Sequence, residues 1–144
     1  MTTTKTSGEI PINYTLCIKG ECPKAETCLH HVATQMMPAE VQTWSIISPA
    51  YLAQIEGECP HYRSAEKVQY ARGFVQMMSS LTVKQANAMK DGIVSKFGMN
   101  MYYRMRRGDR LITPTEQESI YQLLEQQGIT TRPEFDAYEK DYLW

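Results

Sequence analysis

Thr82-Val83-Lys84-Gln85-Ala86-Asn87-Ala88-Met89-Lys90-Asp91-Gly92-Ile93-Val94-Ser95-Lys96-Phe97-Gly98 reads as a helix with both ends written into it. Thr82 and Gln85 stand three apart, the spacing at which an N-cap hydroxyl and an N3 side chain satisfy each other's backbone N–H groups. Ala86, Met89, Ile93 and Phe97 recur every three or four residues and form one apolar stripe. Gly98 supplies the residue that leaves a helix most easily. A polar opposite face and an apolar stripe require something to pack against, so the helix belongs to a globular core.

Working outward, Ser64 reads as the cap of a longer segment in which Val68, Ala71, Val75 and Met78 recur at helical spacing. Tyr70, Phe74, Met77 and Leu81 lie beside them, which predicts a central helix with a wide apolar face. On the other side, residues 99–105 are rich in aromatics, and Gly108-Asp109 precedes Leu111-Ile112. That composition predicts a β-hairpin near 99–112 with a type II′ turn. Thr113-Pro114-Thr115-Glu116 combines an N-cap, a proline at the first helical position and an acid at N3. The helix it opens should bury Ile120, Leu123 and Leu124 and stop at Gly128. Thr131-Arg132-Pro133-Glu134 gives a similar start to a last helix carrying Phe135, Tyr138 and Tyr142.

The first third is less regular. Residues 1–9 are polar and Thr-rich and read as a flexible tail. Residues 14–18 and 41–47 are β-branched and aromatic and predict strands, with Trp44 and Ile46 on one face. Ser48-Pro49 predicts a short helix that runs to about Glu56 before Gly57. The expected class is α+β: four to five helices with a small antiparallel sheet in one domain over 10–144. Within it, 10–63 is a cysteine-containing loop and strand region, and 64–144 is a helical region carrying the hairpin. At 144 residues one domain is the natural expectation.

Chemistry concentrates in the first third. Cys17, Cys22, Cys28 and Cys59 are spaced C-x4-C-x5-C-x30-C, and two of them precede proline, at Cys22-Pro23 and Cys59-Pro60. Three thiols in a stretch without clear periodicity are hard to explain by packing and easy to explain by a soft metal site. A fourth thiol that returns later in the chain would close a tetrahedron. Structural zinc takes four such S or N ligands, and iron–sulfur clusters also take four thiolates. Buried free thiols are the third reading, since cysteine is among the most buried residue types. His61, two residues from Cys59, is the substitute ligand that the spacing favours. The adjacent His30 and His31 read more simply as surface or capping histidines.

The formal net charge of −1 conceals a segregation. Residues 1–59 hold three Lys against six Glu, residues 60–110 ten basic against three acidic, and residues 111–144 two basic against seven acidic. The basic block ends in Tyr102-Tyr103-Arg104-Met105-Arg106-Arg107-Gly108-Asp109-Arg110. Arg104, Arg106, Arg107 and Arg110 interleaved with tyrosine could pair phosphates and stack bases of RNA or hold another anion. The simpler expectation is that the acidic C-terminal segments cover them. Glu134, Asp136, Glu139 and Asp141 make the last segment too acidic to enter a DNA groove.

No Gly-rich phosphate loop, nucleophile elbow or His-Glu-x-x-His zinc motif is present, so the sequence offers no catalytic set and no enzyme class. No apolar run has the length of a secretory h-region or a membrane span, which predicts a cytoplasmic protein without membrane contact. The expected activity is to bind a partner protein, with zinc or an iron–sulfur cluster as the cofactor.

Several of these motifs occur together. Tyr102-Tyr103-Arg104-x-Arg106-Arg107-Gly108 is followed by Thr113-Pro114-x-Glu116-Gln117, then by Pro133-Glu134-Phe135-Asp136-x-Tyr138 with Tyr142 and Trp144. Upstream lie the Cys-Pro pairs and Ala71-Arg72-Gly73-Phe74 with Met77-Met78. In this the chain resembles a family of small proteins of unknown function from gut Bacteroidetes. The resemblance implies a bacterial cytoplasmic protein and supplies no activity, cofactor or catalytic residue.

Overall fold

The computed structural model describes residues 10–144, and the tail expected over 1–9 lies outside the described residues. The fold class is α+β, with six α-helices among the described residues and one small two-stranded antiparallel sheet. The described residues pack as two compact units, one of residues 68–141 and one of residues 10–67 with 142–144.

In the unit formed by residues 10–67 and 142–144, α1 (Leu29–Met36) and α2 (Pro49–Ala53) are joined by irregular chain. A 3₁₀ turn, Ala25–Thr27, precedes α1. Ser48 caps α2 as its sequence predicts, its hydroxyl accepting from the Tyr51 N–H at 3.3 Å, but the helix ends well short of Glu56. Leu16, Ala25, Leu29, Ala33, Ile47 and Leu52 form the buried centre. The strands expected at 14–18 and 41–47 reduce to one parallel bridge between Leu16 and Ile46. Only Leu16 and Ile47 turn inward, while Trp44 and Ile46 remain exposed. A strand needs a continuous partner, and the bonds here stop at Leu16 N–H to Ser45 carbonyl and Ile47 N–H to Leu16 carbonyl, at 2.9 and 2.8 Å.

In the unit of residues 68–141, α4 (Val83–Phe97) is the helix its sequence predicts, capping box included. So is α6 (Pro114–Gln126), with Thr113 and Glu116 exchanging backbone N–H bonds and Ile120 and Leu124 fully buried. Three other expectations are corrected. The long helix from Ser64 is instead strand β1 (Lys67–Arg72) followed by the five-residue α3 (Val75–Ser79). Gly73 breaks the two apart with a φ of +71°, and Ala71 bonds Ile112 in both directions, at 3.0 and 2.8 Å.

The hairpin near 99–112 is instead helix α5 (Met99–Arg107). Tyr102 and Met105, three apart, are both buried, so helical burial outweighs the β propensity of the aromatics. Gly108 is not a hairpin residue but the left-handed residue that ends α5, with Asp109 N–H closing onto the Arg104 carbonyl at 2.9 Å. The last helix is instead strand β2 (Ala137–Tyr142), which pairs with β1. Phe135 packs edge-on against Tyr121, at 5.6 Å between ring centres, and fixes the chain before β2 begins. The core of this unit joins Phe74, Met77, Met89, Ile93, Tyr102, Met105, Ile112, Ile120 and Leu124.

Candidate metal centre

Local turns set the four thiols in place. Cys22 accepts from the Ala25 N–H at 3.0 Å, and Pro23 after it donates nothing, so the chain turns directly into the 3₁₀ turn. Cys28 is the extended residue at the N-cap of α1, its carbonyl accepting from Val32 at 2.9 Å. It also forms an antiparallel bridge to Ser64, flanked by Leu29 N–H to Arg63 carbonyl at 2.6 Å and Ala65 N–H to Thr27 carbonyl at 2.9 Å. Cys17 donates its N–H to the His30 carbonyl at 3.0 Å, which ties the first cysteine to the first turn of α1. Cys59 opens a turn closed by Tyr62 N–H to its carbonyl at 3.1 Å, with Pro60 at the position where a preset φ helps.

The outcome is one cavity of about 220 Å³ bordered by Cys17, Cys22, Cys28 and Cys59. The chain's three histidines, His30, His31 and His61, border the same cavity. All four thiols are free and half-buried. Ile47, Leu52 and Ile55 supply an apolar wall. Lys24 and Glu58 meet at the rim, 3.8 Å apart and largely exposed, and Lys24 also lies 4.8 Å from the centre of the Tyr62 ring. Among the described residues, no three Cys, His, Asp or Glu side chains converge closely enough to hold one ion. The seven residues line a shared cavity without converging on a point.

Tyr14 forms the outer layer behind His30. Its ring stacks on the His30 ring with 5.0 Å between centres and also meets the edge of Trp144 at 4.9 Å. Burial pushes its phenol above the usual tyrosine value, with Arg63 opposing and Cys28 reinforcing the shift. Sequence reasoning did not foresee the contacts of His30, His31 and Tyr14. Their packing depends on residues 15, 17 and 144, which no local window contains.

The arginine candidates do not lie on a hairpin, since Arg104, Arg106 and Arg107 belong to helix α5. They are distributed around the end of α5 and beyond it. Arg110 pairs with Glu116 at 2.8 Å, Arg107 with Asp109 at 2.9 Å, and Arg104 and Arg106 are half-buried. Arg72, also in the basic block, makes a bidentate pair with Glu139 at 3.1 and 3.2 Å. Acids from the C-terminal third therefore neutralise part of the basic block.

A small α+β fold with a thiol-lined cavity places the protein in a broad class. More particularly, the chain belongs to DUF6078, a family of unknown function, whose model matches residues 1–144. No curated protein and no solved structure matches it. Among the described residues, no helix is long and apolar enough to cross a membrane.

Proposed function

We propose that this is a metal-binding protein of the cytoplasm, in which Cys17, Cys22, Cys28 and Cys59 hold structural zinc and the stapled surface binds a partner protein. The observation that carries this reading is that all four cysteines of the chain, separated by as many as thirty intervening residues, border one cavity. Packing alone has no reason to gather every thiol, whereas a soft metal does. The thiols stand in irregular chain, at turns and at a helix cap rather than inside helices, where no helical register fixes their spacing. A four-thiolate site would staple the irregular chain of this unit, where regular hydrogen bonding is sparse.

An iron–sulfur cluster is the second reading: it too takes four thiolates, and the same gathering of all four cysteines at one cavity supports it. Purification without air, followed by elemental analysis and a visible spectrum, separates the two. A colourless protein with stoichiometric zinc supports the staple. A brown one with iron and sulfide supports the cluster. Absence of both metals from protein purified in metal-replete medium removes the reading.

A further inference from the structure

His30 and His31 stand side by side in the first turn of α1, and both use the same ring nitrogen in the same way. Nδ1 of His30 lies 2.7 Å from the Thr15 carbonyl oxygen, and Nδ1 of His31 lies 3.2 Å from the Cys17 carbonyl oxygen. A carbonyl oxygen has lone pairs and no proton, so Nδ1 carries the hydrogen in both rings. In the neutral ring, Nε2 is then the nitrogen with the free lone pair. Metal-ligating histidines adopt this arrangement: the far N–H is given to a carbonyl, which fixes the tautomer and turns the other nitrogen to the metal.

Three further observations converge on the pair. Both residues line the cavity that the four cysteines line. The His30 ring is held face to face on Tyr14, with only 13° between the planes. The His31 bond ends on the carbonyl of Cys17, and the Cys17 N–H returns to the His30 carbonyl at 3.0 Å, so one peptide segment orients a thiol and both imidazoles. His61 differs: it makes an edge contact with Tyr51 at 5.7 Å, and among the described residues no hydrogen bond fixes its tautomer.

We propose that the His30-His31 pair supplies imidazole Nε2 to the metal, so that the centre is mixed thiolate–imidazole. The proposal rests on the metal-binding reading above. Four thiols and two imidazoles exceed the four donors that one tetrahedral zinc accepts. An imidazole that enters the shell of a single zinc ion takes the place of one of the four thiolates named above, which is how this proposal revises the all-cysteine site.

The test is X-ray absorption at the zinc edge of the full chain loaded anaerobically with stoichiometric Zn²⁺. Wild type should show fewer than four sulfur neighbours, with the outer-shell scattering of an imidazole ring. The ring scattering should disappear in His30→Gln/His31→Gln and persist in His61→Gln. If the double variant fails to fold, persistence of the ring signal in His61→Gln still supports the pair, and its loss there overturns it. A zinc-bound wild type with a sulfur-only shell overturns the imidazole proposal and leaves the metal-binding reading intact. Ring scattering that survives in the double variant overturns it as well. A chain that takes up no zinc overturns the underlying reading and this proposal with it.

Discussion

Asp136 caps α3 across a glycine that leaves room for it. Its Oδ2 accepts from the Val75 N–H at 2.8 Å and its Oδ1 from the Gln76 N–H at 3.1 Å, while its own N–H donates to the Gly73 carbonyl at 2.9 Å. A Cβ on Gly73 would stand 2.6 Å from Asp136 Oδ2 and 3.3 Å from the Arg106 carbonyl, in a backbone with φ +71°. Asp136→Ala should cost about 1 kcal/mol, the ordinary worth of an N-cap. Gly73→Ala should cost about 2–3 kcal/mol, from left-handed strain plus loss of the cap. Because the clash requires both side chains, the double variant should be less destabilised than the sum of the two. Urea unfolding of the four proteins measures this. Additive costs would show that the two residues act separately.

This contact also explains where the sequence misleads. Ala71-Arg72-Gly73-Phe74 sits inside a run whose apolar residues recur at helical spacing, and Gly73 alone marks the break. What makes 67–72 a strand is β2, about seventy residues away along the chain, and no local window holds both. The same absence hides β2, since Pro133 and Glu134 mimic a helix start. At 99–107 the signal was present, because Tyr102 and Met105 have helical spacing, but aromatic β propensity points the other way. Where local caps and periodicity agree, as at Thr82–Gln85 and Thr113–Glu116, the helices follow. The thiols were legible by residue type and spacing. The histidine tautomers were not, since they are set by the carbonyls of Thr15 and Cys17.

Among the described residues, Arg72 and Glu139 form the better-enclosed of two bidentate ion pairs. Their side chains are 27% and 24% exposed, and Arg72 also donates to the Gly108 carbonyl at 2.7 Å. Arg132 and Glu118 have similar geometry but are each about half exposed. A double-mutant cycle on Arg72 and Glu139 should give a coupling of about 1 kcal/mol, the upper end for a pair that is not fully buried. The Arg132–Glu118 coupling should be smaller and should fade sooner with added salt, since water and ions reach it. Equal couplings with equal salt dependence would contradict this ordering.

Tyr121 predicts an alkaline weakness. Burial is the main cause that raises its phenol from 10.0 to about 12, and Tyr138 adds to it. The hydroxyl donates to the Pro133 carbonyl at 3.0 Å, a bond that the phenolate cannot make. The folded protein therefore holds this proton more tightly than the unfolded chain does. The stabilisation is fully present below pH 10 and is lost as pH rises from there towards about 12. Urea midpoints recorded across that interval should fall in wild type. Tyr121→Phe should be less stable at neutral pH, by the lost hydrogen bond, but its midpoint should fall less steeply with pH. Parallel curves for the two proteins would assign the alkaline loss to other groups.

Both tryptophans, Trp44 and Trp144, lie in the unit that contains the cysteines, so tryptophan fluorescence follows that unit selectively. Cys22 is half-buried at the cavity, ahead of the 3₁₀ turn, and serine is its near-isostere without the sulfur. If the thiolate holds metal, Cys22→Ser should reduce bound zinc or iron. It should also lower the fluorescence-detected melting temperature by about 10 °C, since about 2 kcal/mol shifts a small unit by roughly that much. A chelator should bring wild type down to the level of the variant and leave the variant unchanged, because the stabilisation in question comes from metal bound to the folded state. Equal metal content and an unchanged melting curve in Cys22→Ser would leave that thiol outside the coordination shell. A lowered curve that chelator depresses equally in both proteins would trace the loss to packing instead.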